Sequence, residues 1–201
     1  MPTNCRRLLT ECKQLTESEV DDGKERGAGY EKPADEERHD ERASRPGRGI
    51  LEPMGYFEVP ASMTFHGAWP GGLFEHSWTV AQELVHMTKT LGLTWQMRRS
   101  PVLVGMFHDL CKTEEYEKDG DGWKHYKLKG HGERSVSMAE AILNDAAALS
   151  LTEEEMLCIR WHMGFADDKE NWNCYGAAIE KYQNVLWTHT ADMVASRVLG
   201  V

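Results

Sequence analysis

The sequence has few cysteines, and their positions would not cross-link a fold. Its five cysteines, Cys5, Cys12, Cys111, Cys158 and Cys174, are odd in number and scattered, and no two form a C-x-x-C pair. This pattern argues against a disulfide framework and against a structural zinc knuckle. It is typical of reduced thiols, so we expect a cytoplasmic protein.

Long apolar runs and an excess of positive charge are also missing. No stretch approaches the length of a membrane span, and residues 1–15 lack the apolar core of a secretory signal. Lysine and arginine total 23 against 33 aspartate and glutamate, which gives a formal net charge of -10. A general nucleic-acid surface is therefore disfavoured, because such surfaces bind by neutralising phosphates.

The N-terminal part of the chain has too few large apolar residues to form a hydrophobic core. Residues 17–49 are rich in charge, poor in large apolar groups and without helical or strand periodicity. Such a segment cannot bury enough surface to offset its ordering entropy. We expect a flexible tail over residues 1–49, in which residues 5–16 could form one short helix. A protein-docking segment is the alternative.

An ordered domain is expected over residues 50–201, with an all-α fold and one small inserted β-hairpin. The clearest helix covers residues 73–93, where Leu73, Val80 and Leu84 recur at helical spacing and Gly92 is a stop signal. The other predicted elements are a short helix and an extended piece before Pro60, a buried helix over 100–112, a hairpin turning at 119–122, and helices over 132–149, 152–164 and 182–200.

Histidine and aspartate recur near the ends of these helices or among their apolar residues. Helical bundles build metal sites from inward side chains on facing helices. Imidazole and carboxylate together suit transition metals better than calcium. The expected cofactor is one or two divalent ions, among Mn, Fe, Co, Ni, Zn and Mg. The residues in question are His76, His108, Asp109, His131, His162 and Asp192.

The order of these residues resembles that of the HD superfamily of metal-dependent phosphohydrolases. The resemblance rests on GGLFEHSWTVA, GMFHDLCK and HTADMVAS. KGHGERSV and IRWHMG add two histidines spaced as in the binuclear branch, which includes cyclic-nucleotide and cyclic-di-nucleotide phosphodiesterases. HGAWPGGLFEHS is also similar to the HD module of certain bacterial 3′–5′ exoribonucleases. The Gly-Tyr-Pro motif of the cyclic-di-GMP branch is not found, so that substrate is not implied.

This resemblance implies a role for each site residue. Lys112 would contact a phosphate oxygen and assist catalysis, with a helix-end lysine interacting with the helix dipole as the alternative. A mononuclear site that does not use His131 or His162 as ligands also stays open. In the binuclear arrangement the first metal is held by His76, His108, Asp109 and Asp192, and the second by His131 and His162, with Asp109 as a catalytic bridge.

The implied activity is hydrolysis of a phosphomonoester or phosphodiester, in a nucleotide or nucleotide-derived small molecule, by a metal-activated hydroxide. The alternatives are 3′–5′ exonuclease-like cleavage of RNA or DNA ends, and a non-catalytic ligand-sensing module that keeps its metal for stability. Structural or surface roles are assigned to His66, His86, His125 and His189, with contact to a ligand residue left open for His189. Base stacking or core packing is left open for Trp69, Trp123, Tyr126 and Trp161.

Deleting residues 1–48 should leave metal content and turnover largely unchanged, because this segment lacks the apolar groups needed to pack on the domain. Elemental analysis and activity assays of the truncated protein test this expectation. A truncated protein that folds but loses all turnover would contradict it.

Overall fold

The structure is a computed structural model that describes residues 48–201. The predicted helix over 5–16 and all but the last two residues of the predicted tail fall outside these residues. Within the described range the chain is mostly helical with one two-stranded antiparallel hairpin, which confirms the predicted fold class. The elements are α1 (Arg48–Leu51), α2 (Gly72–Leu91), α3 (Ser100–Phe107), β1 (Tyr116–Asp119), β2 (Gly122–His125), α4 (His131–Ala147), α5 (Glu153–Trp161), α6 (Trp172–Lys181) and α7 (Asn184–Met193).

Helices α2 and α3 form a closely packed antiparallel pair that starts the domain core. Leu73, Val80 and Leu84 of α2 are fully buried, and Gly92 ends the helix in the left-handed conformation, as predicted. A Cβ atom at Gly105 of α3 would lie 2.4 Å from the Cα atom of Ala81. Only glycine permits this approach, which brings the end of α3 beside the start of α2.

Helix α3 ends earlier than the sequence predicted, and the break lies at the His-Asp doublet. The α-helix stops at Phe107, His108 caps it, and Asp109 takes a non-helical conformation with φ −105° and ψ 18°. A 3₁₀ helix follows over Leu110–Glu114. The doublet therefore sits at a bend in the backbone instead of inside a continuous helix.

Two local predictions hold at the hairpin and at α5. Asp119 pairs with Gly122 across the predicted hairpin turn. Thr152 and Glu155 form the predicted capping box, in which each side chain accepts a hydrogen bond from the other residue's backbone N–H. Glu155 is fully buried and also accepts a hydrogen bond of 2.9 Å from the Ser100 hydroxyl. Glu155 of the cap therefore connects the start of α5 to the start of α3 through a hydrogen bond.

Three elements differ from the prediction. The expected extended piece before Pro60 is a series of turns, within which fully buried Tyr56 donates its hydroxyl proton to the Met106 carbonyl. Helix α6 was not predicted, since its start has no side-chain cap and it buries only Tyr175 and Ala178. The last predicted helix is α7 followed by a π-helical segment over Val194–Leu199.

No helix in the described part of the chain combines the length and the apolarity needed to cross a bilayer.

The Gly105→Ala variant should lower the free energy of unfolding by roughly 1–3 kcal/mol, because the new methyl group must displace the α2 backbone. The matched control is Gly176→Ala, in α6, where a Cβ atom meets nothing within 4 Å. The control should gain about 0.5–1 kcal/mol from helix propensity. Urea unfolding of both variants measures the difference. A Gly105→Ala protein as stable as the control would contradict the close helix contact.

Candidate metal centre

The structure brings together all six residues that the sequence singled out as metal ligands. Among these six residues, three overlapping groups have ligand atoms within 4.8 Å of one another. The three histidines His76, His108 and His162 are fully buried, and Asp109 is 3% exposed. The groups are His76 with His108 and Asp109, His108 with His162 and Asp192, and Asp109 with His131 and His162.

Backbone carbonyl groups fix the orientation of the three buried imidazoles. In each ring Nδ1 lies within 2.6–2.8 Å of a carbonyl oxygen. A carbonyl oxygen only accepts, so each Nδ1 carries a proton and donates it. In the neutral ring the Nε2 lone pair is then available to a ligand. The donor–acceptor pairs are His76 with Val201, His108 with Gly105, and His162 with Ile159.

In residues 48–201, no N–H or O–H group outside these rings donates to the three Nε2 lone pairs. Nε2 of His108 lies 3.2 Å from Nε2 of His76, and burial lowers the pKa of His108 to about 3, so this ring is neutral. Nε2 of His162 is buried and has no hydrogen-bond partner among the described residues. Buried acceptors that face one another are unfavourable unless a positive charge lies among them. This donor set therefore fits a divalent cation.

The Asp109 carboxylate divides its two oxygens between two pairs of imidazoles. Oδ2 lies 3.6 Å from Nε2 of His76 and 3.5 Å from Nε2 of His108. Oδ1 lies 2.7 Å from Nε2 of His131 and 3.3 Å from Nε2 of His162. One carboxylate thus faces both halves of the cluster, which is the placement that a bridging ligand requires.

Electrostatic contacts keep both carboxylates of the cluster ionised. Burial alone would raise the pKa of Asp109, but Lys112 and the protonated His131 outweigh it and hold that pKa well below its usual range. Lys112 Nζ lies 2.6 Å from Oδ2 of Asp109, which keeps the lysine charged and its pKa raised despite burial. The pKa of Asp192 is also lowered although burial alone would raise it, and its Oδ1 lies 3.2 Å from Nε2 of His76.

His131 has partners on its second ring nitrogen that no sequence motif marked. Its Nδ1 lies 3.0 Å from Sγ of Cys111 and 3.7 Å from Oε1 of Glu115. Arg134 donates to the same Glu115 oxygen at 2.9 Å. Burial alone would lower the pKa of His131, but Asp109, Cys111 and Glu115 raise it to about 12. Without a metal, His131 is therefore a protonated link between two carboxylates.

Two of the remaining histidines contact the cluster. The His66 ring, assigned to a structural or surface role, lies against His76 with centroids 4.8 Å apart. His189 donates from Nδ1 to the carbonyl of His162 at 2.7 Å, the kind of contact left open for it. His86 is exposed. His125 lies 3.5 Å from Glu115, which in turn contacts His131 of the cluster.

The four aromatic residues near the site divide by burial. Trp161 is 7% exposed and packs beneath Arg160, as a core residue does. Trp69 and Tyr126 are 40% and 37% exposed, and each donates a hydrogen bond to a glutamate. Trp123 on the hairpin is half-buried. Of these four residues, Trp69, Tyr126 and Trp123 therefore have surface available to a ligand, and Trp161 does not.

Comparison with known proteins gives one partial match and no family assignment. No family model and no solved structure matches the chain. A curated dihydroneopterin 2′,3′-cyclic phosphate phosphodiesterase from Methanocaldococcus jannaschii is 28% identical over 92 residues. The match covers 44% of this chain and 37% of the archaeal protein. The chain is therefore distantly similar to part of a phosphodiesterase, and its buried His/Asp clusters could bind metal ions.

The wild-type protein should bind about two manganese ions per chain, and the His131→Ala and His162→Ala variants about one each. Each substitution removes an imidazole that faces Oδ1 of Asp109 but leaves the ligands on the Oδ2 side. His86→Ala, which removes an exposed histidine of α2, is the matched control and should keep both ions. Elemental analysis after manganese loading and desalting gives the counts.

A mononuclear site has a different signature in the same experiment. Wild type would then saturate at one ion per chain, and neither the His131→Ala nor the His162→Ala variant would change that value. Such a result would contradict the two-metal arrangement and leave only the four ligands around Oδ2 of Asp109 and Asp192.

Proposed function

We propose that the protein is a metal-dependent phosphohydrolase of the HD type. Its substrate is a phosphodiester or phosphomonoester in a nucleotide or nucleotide-derived small molecule. The observation that carries this proposal is the buried convergence of fixed imidazole lone pairs on Asp109, a carboxylate with one oxygen facing each half of the cluster. The partial similarity to a phosphodiesterase supports the diester as the bond that is broken.

Charge explains why a metal and a phosphate would bind together. The cluster contains two ionised carboxylates, Asp109 and Asp192, close to the space that a phosphate would enter. In the protein alone Lys112 and protonated His131 already pair with Asp109, so little positive charge is left to attract an anion. A bound divalent cation would offset the two carboxylate charges, lower the pKa of a water molecule and neutralise charge on the phosphoryl oxygens.

The accessible edge of the cluster indicates where a substrate would approach. The side chains of His76, His108 and His162 are fully buried, so they hold the interior of the site. The side chains of Lys112 and His131 are 14% and 21% exposed. A phosphate group would therefore meet the Lys112 ammonium and the His131 edge first, and Lys112 would contact a phosphate oxygen as a point charge.

A substrate panel tests the proposed activity directly. The manganese-loaded protein should be assayed against 2′,3′-cyclic and 3′,5′-cyclic nucleotides, cyclic dinucleotides, nucleoside triphosphates and short RNAs. The proposal expects turnover of a small phosphate ester that chelation abolishes and added metal restores. Turnover of short RNAs alone would favour the exonuclease alternative. No turnover of any member, at full metal occupancy, would contradict the proposal and favour a ligand-sensing module.

The Asp109→Asn variant should lose at least two orders of magnitude in turnover while keeping its fold, because the amide lacks the charge that the metals require. The amide retains the carboxylate's volume and can still accept a hydrogen bond from Lys112. Asp145→Asn, at an exposed position of α4, is the matched control. Far-UV circular dichroism, metal content and turnover should be measured together. Wild-type turnover in the Asp109→Asn protein would refute the role assigned to this carboxylate.

A further inference from the structure

A short closed loop precedes helix α2 and holds His66 in place. The backbone N–H of Ala61 donates to the Gly67 carbonyl at 2.9 Å. Inside this closure, the Ser62 hydroxyl donates to the His66 carbonyl at 2.8 Å and accepts from the Phe65 N–H at 2.8 Å. The backbone on both sides of His66 is therefore fixed by hydrogen bonds.

Packing at the end of the loop leaves little room for movement. Gly67 has φ +54°, and a Cβ atom there would lie 2.7 Å from the Cβ of Ala61. A Cβ atom at Gly72, the first residue of α2, would lie 2.0 Å from the Gly67 carbonyl oxygen. The loop is thus packed directly onto the start of the helix that carries His76, so the two histidines are held at a fixed distance.

The His66 side chain is held beside the cluster without a bonding role in it. Its ring is half-buried and tilted by 44° against the His76 ring. Within residues 48–201, neither of its nitrogens has a hydrogen-bond partner, and it belongs to none of the groups of candidate metal ligands. The ring also interacts electrostatically with the charged groups of Lys112, Asp109 and Asp192. This is an unused donor at the edge of a charged site.

We propose that His66 is a substrate-contacting residue whose imidazole N–H donates a hydrogen bond to a phosphate oxygen of the ester. The inference rests on the proposed function for the class of ligand alone. His66 and Lys112 would hold the phosphate from two different elements, the loop before α2 and the 3₁₀ helix after α3. Because the loop is already rigid, little conformational entropy is lost when the contact forms.

Binding of inorganic phosphate to the manganese-loaded full-length protein tests this contact without relying on turnover. Isothermal titration calorimetry should show phosphate binding about tenfold weaker in His66→Ala than in wild type, because one hydrogen bond to a charged group is lost. His66→Gln keeps an N–H donor and should be only about threefold weaker. The control is His86→Ala, which removes an exposed histidine of α2. This variant should bind phosphate as wild type does. Manganese content should be equal in all four proteins.

The readouts separate the possible outcomes. Equal phosphate affinity in His66→Ala and His86→Ala would overturn the inference. A fall in manganese content that matches the loss of phosphate affinity would also overturn it, because His66 would then hold the metal. If the wild-type protein binds no phosphate, His66 makes no contact with phosphate, and the inference is likewise overturned. Phosphate binding that depends on His66, in a protein that hydrolyses no ester of the panel, would support the inference and contradict only the proposed function.

Discussion

Three buried imidazoles present Nε2 lone pairs to one another, and the described residues offer these lone pairs no proton donor. Each of His76, His108 and His162 donates its Nδ1 proton to a backbone carbonyl, which leaves Nε2 facing the others and Asp109. In a protein interior such acceptors cost free energy unless a cation satisfies them. The cluster is therefore electrostatically unfavourable on its own, and its residues could bind a divalent ion.

The surrounding helices explain how these side chains come to meet. The close approach at Gly105 sets the spacing of α2 and α3, and hence of His76 and His108. The end of α3 at Phe107 turns Asp109 out of the helical path, so its two oxygens face imidazoles on both sides. A continuous helix through Lys112 would have carried the carboxylate around the helix axis instead. Backbone geometry therefore does as much as residue type to form the site.

Much of this arrangement could be predicted from the sequence, since its signals are local. Gly92 as a helix end, the Thr152–Glu155 capping box and the turn before Gly122 depend on neighbouring residues alone. The six clustered residues could be chosen because each stands at a helix end or among apolar neighbours. Their ordered motifs added a family pattern that one lone His-Asp pair does not have.

The missed contacts of the site depend on packing between separate elements of the chain. Glu115 and Cys111 reach His131 only because the 3₁₀ helix packs on the start of α4. His66 was assigned a structural or surface role because nothing local shows that its loop folds against His76. Helix α6 escaped prediction since its apolar face is small. The hydrophobic periodicity of the sequence predicts single helices and strands. It does not predict which side chains of different elements meet in a site.

Anomalous diffraction from crystals of the manganese-loaded protein would locate the metal ions. We expect one peak among Nε2 of His76, Nε2 of His108, Oδ2 of Asp109 and Oδ1 of Asp192. We expect a second peak among Oδ1 of Asp109 and the Nε2 atoms of His131 and His162. Absence of any manganese peak within coordination distance of Asp109, in crystals grown at saturating metal, would contradict this expectation.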